Sequence, residues 1–407
     1  MTTRRNELAA SRAPEDEEES GGWSRRAVLR TLGIGGATVV VAGAGVLSYR
    51  VYDTAVLDPG GGKAYDPWGQ WRGTPGPLGA VAGAVLAASP HNTQPWIFEV
   101  GPGAVDVFVD AARTTGAVDP FRREQYVGLG CALENLVLGC RARGLQPDVT
   151  LLPDGADAPR VAHVALSDGA PEPSSLFDAI GDRHTNRGPY QPRAVTAETL
   201  AALVDMTDLP GLAVHWITDL EPKKAFSQLL IDAAEALTSD EQQSRDGFIW
   251  FRDSNDDVQR HRDGLVLDGQ GLTPLVLSMA KLLPASSRAA GDRFWVKQTK
   301  TVHTATAAAY GVITTASPSD RQTQLHAGRL LQRIHLTATS RDIALQHMNQ
   351  ITERMDREQA TGAAATFAPR FADLLPADGH PLLTFRVGYP VREARPTPRR
   401  SAAEVTR

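Results

Sequence analysis

Cysteine is nearly missing from this chain. Only Cys131 and Cys140 occur in 407 residues, so a disulfide framework and a cysteine-ligated metal site are both excluded. Apolar periodicity puts the two on one helix, where their nine-residue spacing separates them by ~13 Å along the axis and turns them to opposite faces. That geometry forbids a bridge, and the pair reads as small apolar core residues. An excess of one charge is missing too. With 42 Lys and Arg against 47 Asp and Glu, the net charge is -5 and the pI about 6.1, which provides no field for a polyanion and excludes nucleic acid as a partner. The ten histidines include no HExxH or other metal-ligand spacing, and no GxSxG elbow occurs, so neither a metal centre nor a serine-hydrolase site is expected.

What is present suits a globular protein. Hydrophobic residues make up 42% and charged residues 22%, a balance that allows a large core. The length exceeds one average domain and fits one large α/β unit or a fused duplication.

Residues 1–22 run through Glu15, Asp16, Glu17, Glu18 and Glu19 with almost nothing to bury, and read as a solvated acidic tail. In residues 23–50, Ser24, Arg25, Arg26 and Leu29 precede the uncharged run Thr31 to Tyr49, the layout of an export signal. The arginine pair, with serine before it and leucine three positions after, resembles the twin-arginine consensus. That resemblance implies passage through the twin-arginine export machinery as a folded protein and an extracytoplasmic location. No clean cleavage motif follows, and residues 31–49 are long enough to span a bilayer, so a cleaved signal and a retained membrane anchor both stay open. Gly33, Gly35 and Gly36 mimic a dinucleotide loop, but no strand precedes them.

Residues 51–77 are rich in glycine and proline around Trp68 and Trp71 and read as a loosely packed linker. The first half, 78–180, predicts a helix over 81–88, a hairpin of strands 96–100 and 105–110, and a long helix through Leu129, Leu133, Leu136, Val137 and Cys140 that stops near Gly144. Strands at 149–152 and 161–166 follow, then a helix near Leu176. The second half, 181–400, predicts strands at 214–218, 310–315 and 382–387 and a helix through Gly328, Leu331, Ile334 and Ala338; residues 401–407 form a tail. Gly130, Leu133, Glu134, Leu136 and Leu138 align without gaps on Gly328, Leu331, Gln332, Ile334 and Leu336, the mark of an internal duplication. A less regular insertion, about 240–300, carries Trp250, Phe251, Phe294 and Trp295 and reads as a lid.

Chemistry concentrates in three places. Ser89, Pro90, His91, Asn92, Thr93, Gln94, Pro95 and Trp96 form a polar loop whose Asn and Gln amides can both donate to and accept from a planar heterocycle. On composition alone, a capped turn ahead of a core tryptophan is the better explanation. Arg183, His184, Thr185, Asn186 and Arg187 place two guanidinium forks and a hydroxyl within five residues, a pattern suited to phosphate, with surface ion pairing as the alternative. Arg399 and Arg400 return basic charge near the end.

The first cluster resembles the PSxxNxQPW loop of the nitroreductase family, and the second its RHSxK phosphate signature with Thr185 and Arg187 in the last positions. The resemblance covers Leu78 to Arg400. It implies an α+β, nitroreductase-like fold of two similar halves, each a mainly antiparallel sheet packed by helices, fused as an intrachain pseudo-dimer. In the simpler homodimers the two motifs come in the opposite order and reach one flavin from different subunits. This chain carries each motif once, which resembles the Acg-type branch of the superfamily.

The same resemblance implies one FMN, with Ser89, Pro90, His91, Asn92 and Gln94 toward ribityl and ring and Arg183, His184, Thr185, Arg187, Arg399 and Arg400 about the phosphate. It also implies hydride transfer from NAD(P)H through flavin N5 to a small electrophilic acceptor. The family's Pro-x-Glu-Gly element is missing, and Tyr310 to Thr315 reads as a core strand, so no catalytic residue is assigned. A non-catalytic protein that sequesters FMN under a closed lid is the alternative that this departure keeps open.

Overall fold

The computed structural model describes residues 53–56, 58–375 and 379–407; the expected tail and export signal lie outside them. Short helices α1 (Asp66–Gln70) and α2 (Gly76–Ala84) lead into the hairpin of β1 (Trp96–Gly101) and β2 (Ala104–Val109). Its strands pair antiparallel from Trp96↔Val109 to Gly101↔Ala104, and Gly103 at φ 82 supplies the left-handed turn between them. Helix α3 (Arg123–Arg141) is buried along almost its whole length, and β3 (Leu145–Leu151) and β4 (Arg160–Asp168) complete a sheet of order β1-β2-β4-β3.

After α4 (Ser175–Ala179) and α5 (Ala197–Ala201) the plan repeats. β5 (Leu212–Ile217) is followed by α6 (Leu220–Ser239), α7 (Glu241–Phe248), β6 (Phe251–Arg252), α8 (Asn255–His261), β7 (Leu265–Val266), α9 (Pro274–Leu282) and α10 (Arg288–Gln298). Then come β8 (Ala309–Thr315), α11 (Arg321–Thr339), β9 (Ala344–His347), α12 (Gln350–Thr361), α13 (Phe367–Ala372), β10 (His380–Gly388) and α14 (Ala402–Val405). The second sheet has the order β5-β8-β10-β9. With α11 in the place of α3, it copies the first sheet strand for strand, every neighbouring pair antiparallel.

The two halves share one core. Trp96, Phe98, Leu133 and Leu136 pack in a single cluster with Leu331, Ile334, Leu383 and Phe385. Tyr310 and Val312 turn to the other side of the second sheet, where Phe226, Ile351 and Phe371 cover them. Burial on both faces explains why β8 is apolar throughout instead of alternating.

Where α3 crosses α11, Gly130 meets Gly328. A Cβ on Gly130 would lie 2.9 Å from Gly328 Cα, and one on Gly328 would lie 2.8 Å from Gly130 Cα. Beside this crossing, Glu134 accepts from Arg329 Nε and Arg333 Nε, both at 2.7 Å, and Gln332 donates to Asn135 Oδ1 at 2.8 Å. Cys131 and Cys140 are buried on α3 and unbridged.

Two expectations need correction. The stretch 51–77 is not a loose linker where it is described: Trp71 is 3% exposed, edge-on to Phe177, and Trp68 Nε1 donates to the Thr397 carbonyl at 2.7 Å. The insertion is largely helical, not irregular. Three of its four α-helices are capped, by Asp240, Ser254 and Thr273, whose side chains accept from the first-turn amides.

Candidate functional site

Loop 89–95 is built on unusual backbone. His91, Asn92 and Gln94 have φ of 46, 55 and 53°, the left-handed region that non-glycine residues enter only when their surroundings hold them there. Their side chains and the loop's own bonds supply that hold. Ser89 Oγ accepts from the Gln94 amide at 3.0 Å. Asn92 Nδ2 donates to the carbonyls of Gly264 at 3.1 Å and Pro398 at 2.9 Å. Gln94 Nε2 donates to the Arg262 carbonyl at 2.8 Å, and Gln94 Oε1 accepts from the Arg400 amide at 2.9 Å. The loop thus ties together the insertion and the C-terminal segment. The NH2 groups of Asn92 and Gln94, expected to face a ligand, go to main-chain carbonyls, while Asn92 Oδ1 is buried without a hydrogen-bond partner.

The second cluster folds inward. Arg183, 1% exposed, donates from Nη2 to the Leu86 carbonyl at 2.9 Å and lies 3.3 Å from His335 Nδ1 through Nη1. Arg399, 3% exposed, donates to the neighbouring Ala87 carbonyl at 3.2 Å and stands over the Trp68 ring, 5.0 Å from its centroid. Two arginines more than two hundred positions apart therefore sit on the successive carbonyls of Leu86 and Ala87, in the turn just past α2. The Nε of each is buried without a hydrogen-bond partner. Arg187 reaches the Gly269 carbonyl at 3.2 Å. No carboxylate among the described residues faces any of the three, and burial lowers the pKa of each.

Histidines surround these arginines. His184 packs edge-on against Trp68 at 4.4 Å, and burial together with Arg183 and Arg399 pushes its pKa down to about 3. Burial and Arg187 push His91 down to about 4. His347, with Nε2 buried and unpartnered, is pushed down to about 3 by burial and by Arg183 and Arg187. His335 and His303 lie well below their usual range for the same reasons. All five imidazoles are neutral near pH 7 and add no charge to a region already cationic.

A cavity of about 500 Å³ opens beside this cluster. Its walls are Ala88 to His91 from the loop, Arg187, Cys131 from α3, Leu331 from α11, His303 and His347, and an aromatic side of Phe248, Phe251, Phe294 and Trp295 from the insertion. Glu124 and Glu353 also line it. The volume suits a drug-sized or cofactor-sized ligand.

No family model matches the chain. It is 26% identical over 340 residues, 79% of its own length and 88% of the relative's, to Rv3131 of Mycobacterium tuberculosis (strain ATCC 25618 / H37Rv), provisionally named an NAD(P)H nitroreductase. The protein acg of the same strain, provisionally given the same activity, is 33% identical over 114 residues, 27% of this chain and 34% of that one. The curated relatives support a place in the nitroreductase-like superfamily. Among solved structures, the chain is similar to a nitroreductase with bound FMN from Desulfitobacterium hafniense DCB-2, at 14% identity and a TM-score of 0.33 over 55% of this chain and 94% of that one.

Against the expectations for a nitroreductase-like chain, the structure brings Ser89, Pro90, His91 and Arg187 to the cavity and sets Arg183 and Arg399 behind its wall at Ala88 and Cys131. Thr185 is half-buried in the same segment. Arg400 goes elsewhere: it donates to the Gln94 and Trp96 carbonyls and is faced by Asp110, Asp263 and Glu404. Three further histidines join the site: His303 and His347 line the cavity and His335 contacts Arg183. Arg386, missed in a strand that reads as plain core, is fully buried, donates to the Gly188 carbonyl at 2.7 Å and stacks on Tyr190 at 3.9 Å, which holds the 186–190 turn in place. A charged residue inside an otherwise apolar strand was the available signal.

Proposed function

We propose that the chain binds FMN in this cavity and is an NAD(P)H-dependent oxidoreductase. One observation carries the reading: Arg183 and Arg399 are buried side by side, with half-buried Arg187 on the cavity wall, and no carboxylate among the described residues faces any of them. Buried cations left uncompensated cost several kcal/mol, and a phosphate bearing one to two negative charges is the complement such a cluster lacks. The curated relatives, provisionally named NAD(P)H nitroreductases, point the same way.

The residues present fit the group. Leu86 and Ala87 hold two guanidiniums behind the cavity wall, from where their charge favours an anion in the cavity. Arg187 reaches the cavity itself. Neutral histidines offer ring nitrogens without competing for the anion. Ser89, Pro90 and His91 give one wall, and the aromatic side chains of the insertion keep water from the opposite one. When bound, FMN supplies the hydride chemistry between NAD(P)H and an electrophilic acceptor, while the protein binds and orients.

The matching strand orders support descent from a fused two-subunit arrangement with halves at 78–180 and 181–400. The Ser24–Leu29 segment and the apolar run after it support export by the twin-arginine route; a chain with Arg25 and Arg26 both changed to Lys should stay in the cytoplasm, and undiminished export of it would refute that route.

Natively purified protein should be yellow with stoichiometric FMN, and anaerobic NADPH should bleach it within seconds. A colourless protein that takes up no added FMN would overturn the reading. A second reading, sequestration of FMN without turnover, is favoured by the aromatic wall that the insertion builds over the loop; flavin that NADPH leaves oxidised for an hour would select it.

A further inference from the structure

The cavity has a second pole, of opposite character to the arginine cluster. Glu124 in the first turn of α3 and Glu353 in the first turn of α12 both line it, at 6% and 8% exposure. Every element packed around them contributes a charged or polar group: Arg123 beside Glu124 on α3, Asp119 in the turn before it, and Asn349 and Asp356 at the start and middle of α12. Arg123 Nε is taken by Asp356 at 2.9 Å, and its Nη2 is 3.6 Å from Glu124 Oε1, too far for a hydrogen bond. That oxygen is buried with no hydrogen-bond partner.

A charge count settles how much can be ionised here. Four carboxyl groups, of Asp119, Glu124, Glu353 and Asp356, face a single guanidinium in a largely dehydrated space. Ionising all four would leave three uncompensated negative charges, so burial holds at least one proton in the cluster at rest. Two neighbouring buried carboxyls escape by sharing a proton, and Glu124 and Glu353 line the same cavity, buried, with Glu124 acting electrostatically on Glu353. Burial pushes Glu124 up to about 7, and burial with the neighbouring Glu124 carries Glu353 well above the ordinary carboxylate range.

We propose that Glu124 and Glu353 hold one proton between them at the cavity wall and deliver it to the acceptor reduced there. This rests on the oxidoreductase reading above. The balance is complete: a nicotinamide is oxidised by loss of a hydride, and the acceptor is reduced by gain of that hydride and one proton. On a quinone-type acceptor the proton comes from the carboxyl O–H, which breaks as an O–H bond forms on the former carbonyl oxygen. The doubly ionised pair is left beside Arg123 and regains its proton from solvent. A donor whose pKa lies near the working pH is the efficient kind.

Infrared spectroscopy of the ligand-free protein between pH 5 and 9, in H2O and D2O, reads the proton directly. The expected result is a protonated-carboxyl band at neutral pH that disappears in both E124Q and E353Q. A wild-type spectrum without it, or a band that survives both substitutions, overturns the proposal whatever the flavin does. Rapid mixing of the NADPH-reduced, FMN-loaded protein with a soluble naphthoquinone then tests delivery. The acceptor step should slow as pH rises in wild type. In E353Q it should be about a hundredfold slower at pH 6 and nearly flat with pH. An unaltered pH profile in folded, FMN-loaded E353Q overturns the delivery role and leaves the oxidoreductase reading standing. Failure to load FMN sinks that reading, and delivery with it, while the infrared result stands by itself.

Discussion

Gly130 and Gly328 touch across the junction of the two halves, each filling the space that the other's missing side chain leaves open. The contact is reciprocal: a side chain on Gly130 would strike the Leu325 carbonyl, and one on Gly328 the Val127 carbonyl. Val127 and Leu325 are themselves equivalent in the alignment that pairs Gly130 with Gly328. An isologous contact of this kind is the signature of a two-fold axis, preserved here inside one chain.

Because both obstacles are backbone, neither helix can yield locally. Gly130→Ala and Gly328→Ala should each cost about 1–3 kcal/mol, the range for overpacking. The double substitution should be less than additive, since a single separation of the helices relieves both. Denaturant titration of the three variants checks this; an unchanged midpoint in either single variant refutes it.

Arg399→Met should separate stability from binding. Removing a buried, unpaired cation and keeping its volume is expected to leave the ligand-free protein as stable as wild type or more so, while retention of FMN falls at least about tenfold through loss of a charge-assisted contact. Thermal unfolding with and without saturating FMN measures both effects, because ligand stabilisation follows affinity. A variant that is destabilised when ligand-free yet binds FMN normally would place Arg399 in the architecture alone.

Acid should loosen the protein well before its carboxylates are neutralised. His184 and His347 are held down to about 3 and His91 to about 4, below the unfolded value near 6.5. The unfolded chain therefore binds protons first as pH falls. The stability from these groups is complete above about pH 6.5 and is lost progressively toward pH 3–4. Glu124 has the opposite sign: its folded pKa is raised to about 7, so its share is complete below an unfolded value near 4.3 and is lost as pH rises through 7. Replacing His184 with Phe, which keeps a ring against Trp68, should flatten the acid limb of a stability–pH curve. An acid limb identical to wild type would count against the buried neutral imidazole as its cause.

Asn92→Ala should act on the scaffold. Its amide bridges the insertion at Gly264 to the tail at Pro398, and leaving buried carbonyls unsatisfied costs about 1–3 kcal/mol. Faster proteolytic nicking of the insertion is the expected signature, with hydrogen exchange accelerated around 262–264. A variant with native protease resistance and selectively weakened FMN binding would restore Asn92 to a direct ligand role.

Much of the frame could be read from local pattern. Alternation over Trp96 to Val109 specified a hairpin, the 3.6-residue spacing from Leu129 to Cys140 specified the central helix, and the register of Gly130 on Gly328 exposed the duplication. Shorter elements escaped: β9 is four residues long, below the length at which periodicity speaks. The insertion read as irregular although Asp240, Ser254 and Thr273 stood as helix-starting caps in plain view.

The sequence by itself determined which residues could carry charge to a phosphate and which stretches would be helix or strand, because propensity, periodicity and capping act within a few residues. Only the tertiary structure decided that Arg183 and Arg399 share a buried corner while Arg400 turns away, that Asn92 and Gln94 brace the scaffold, and that Glu124 meets Glu353. Those outcomes depend on burial and on which distant charges end up facing one another, and such interactions come into being only when the chain has closed around them.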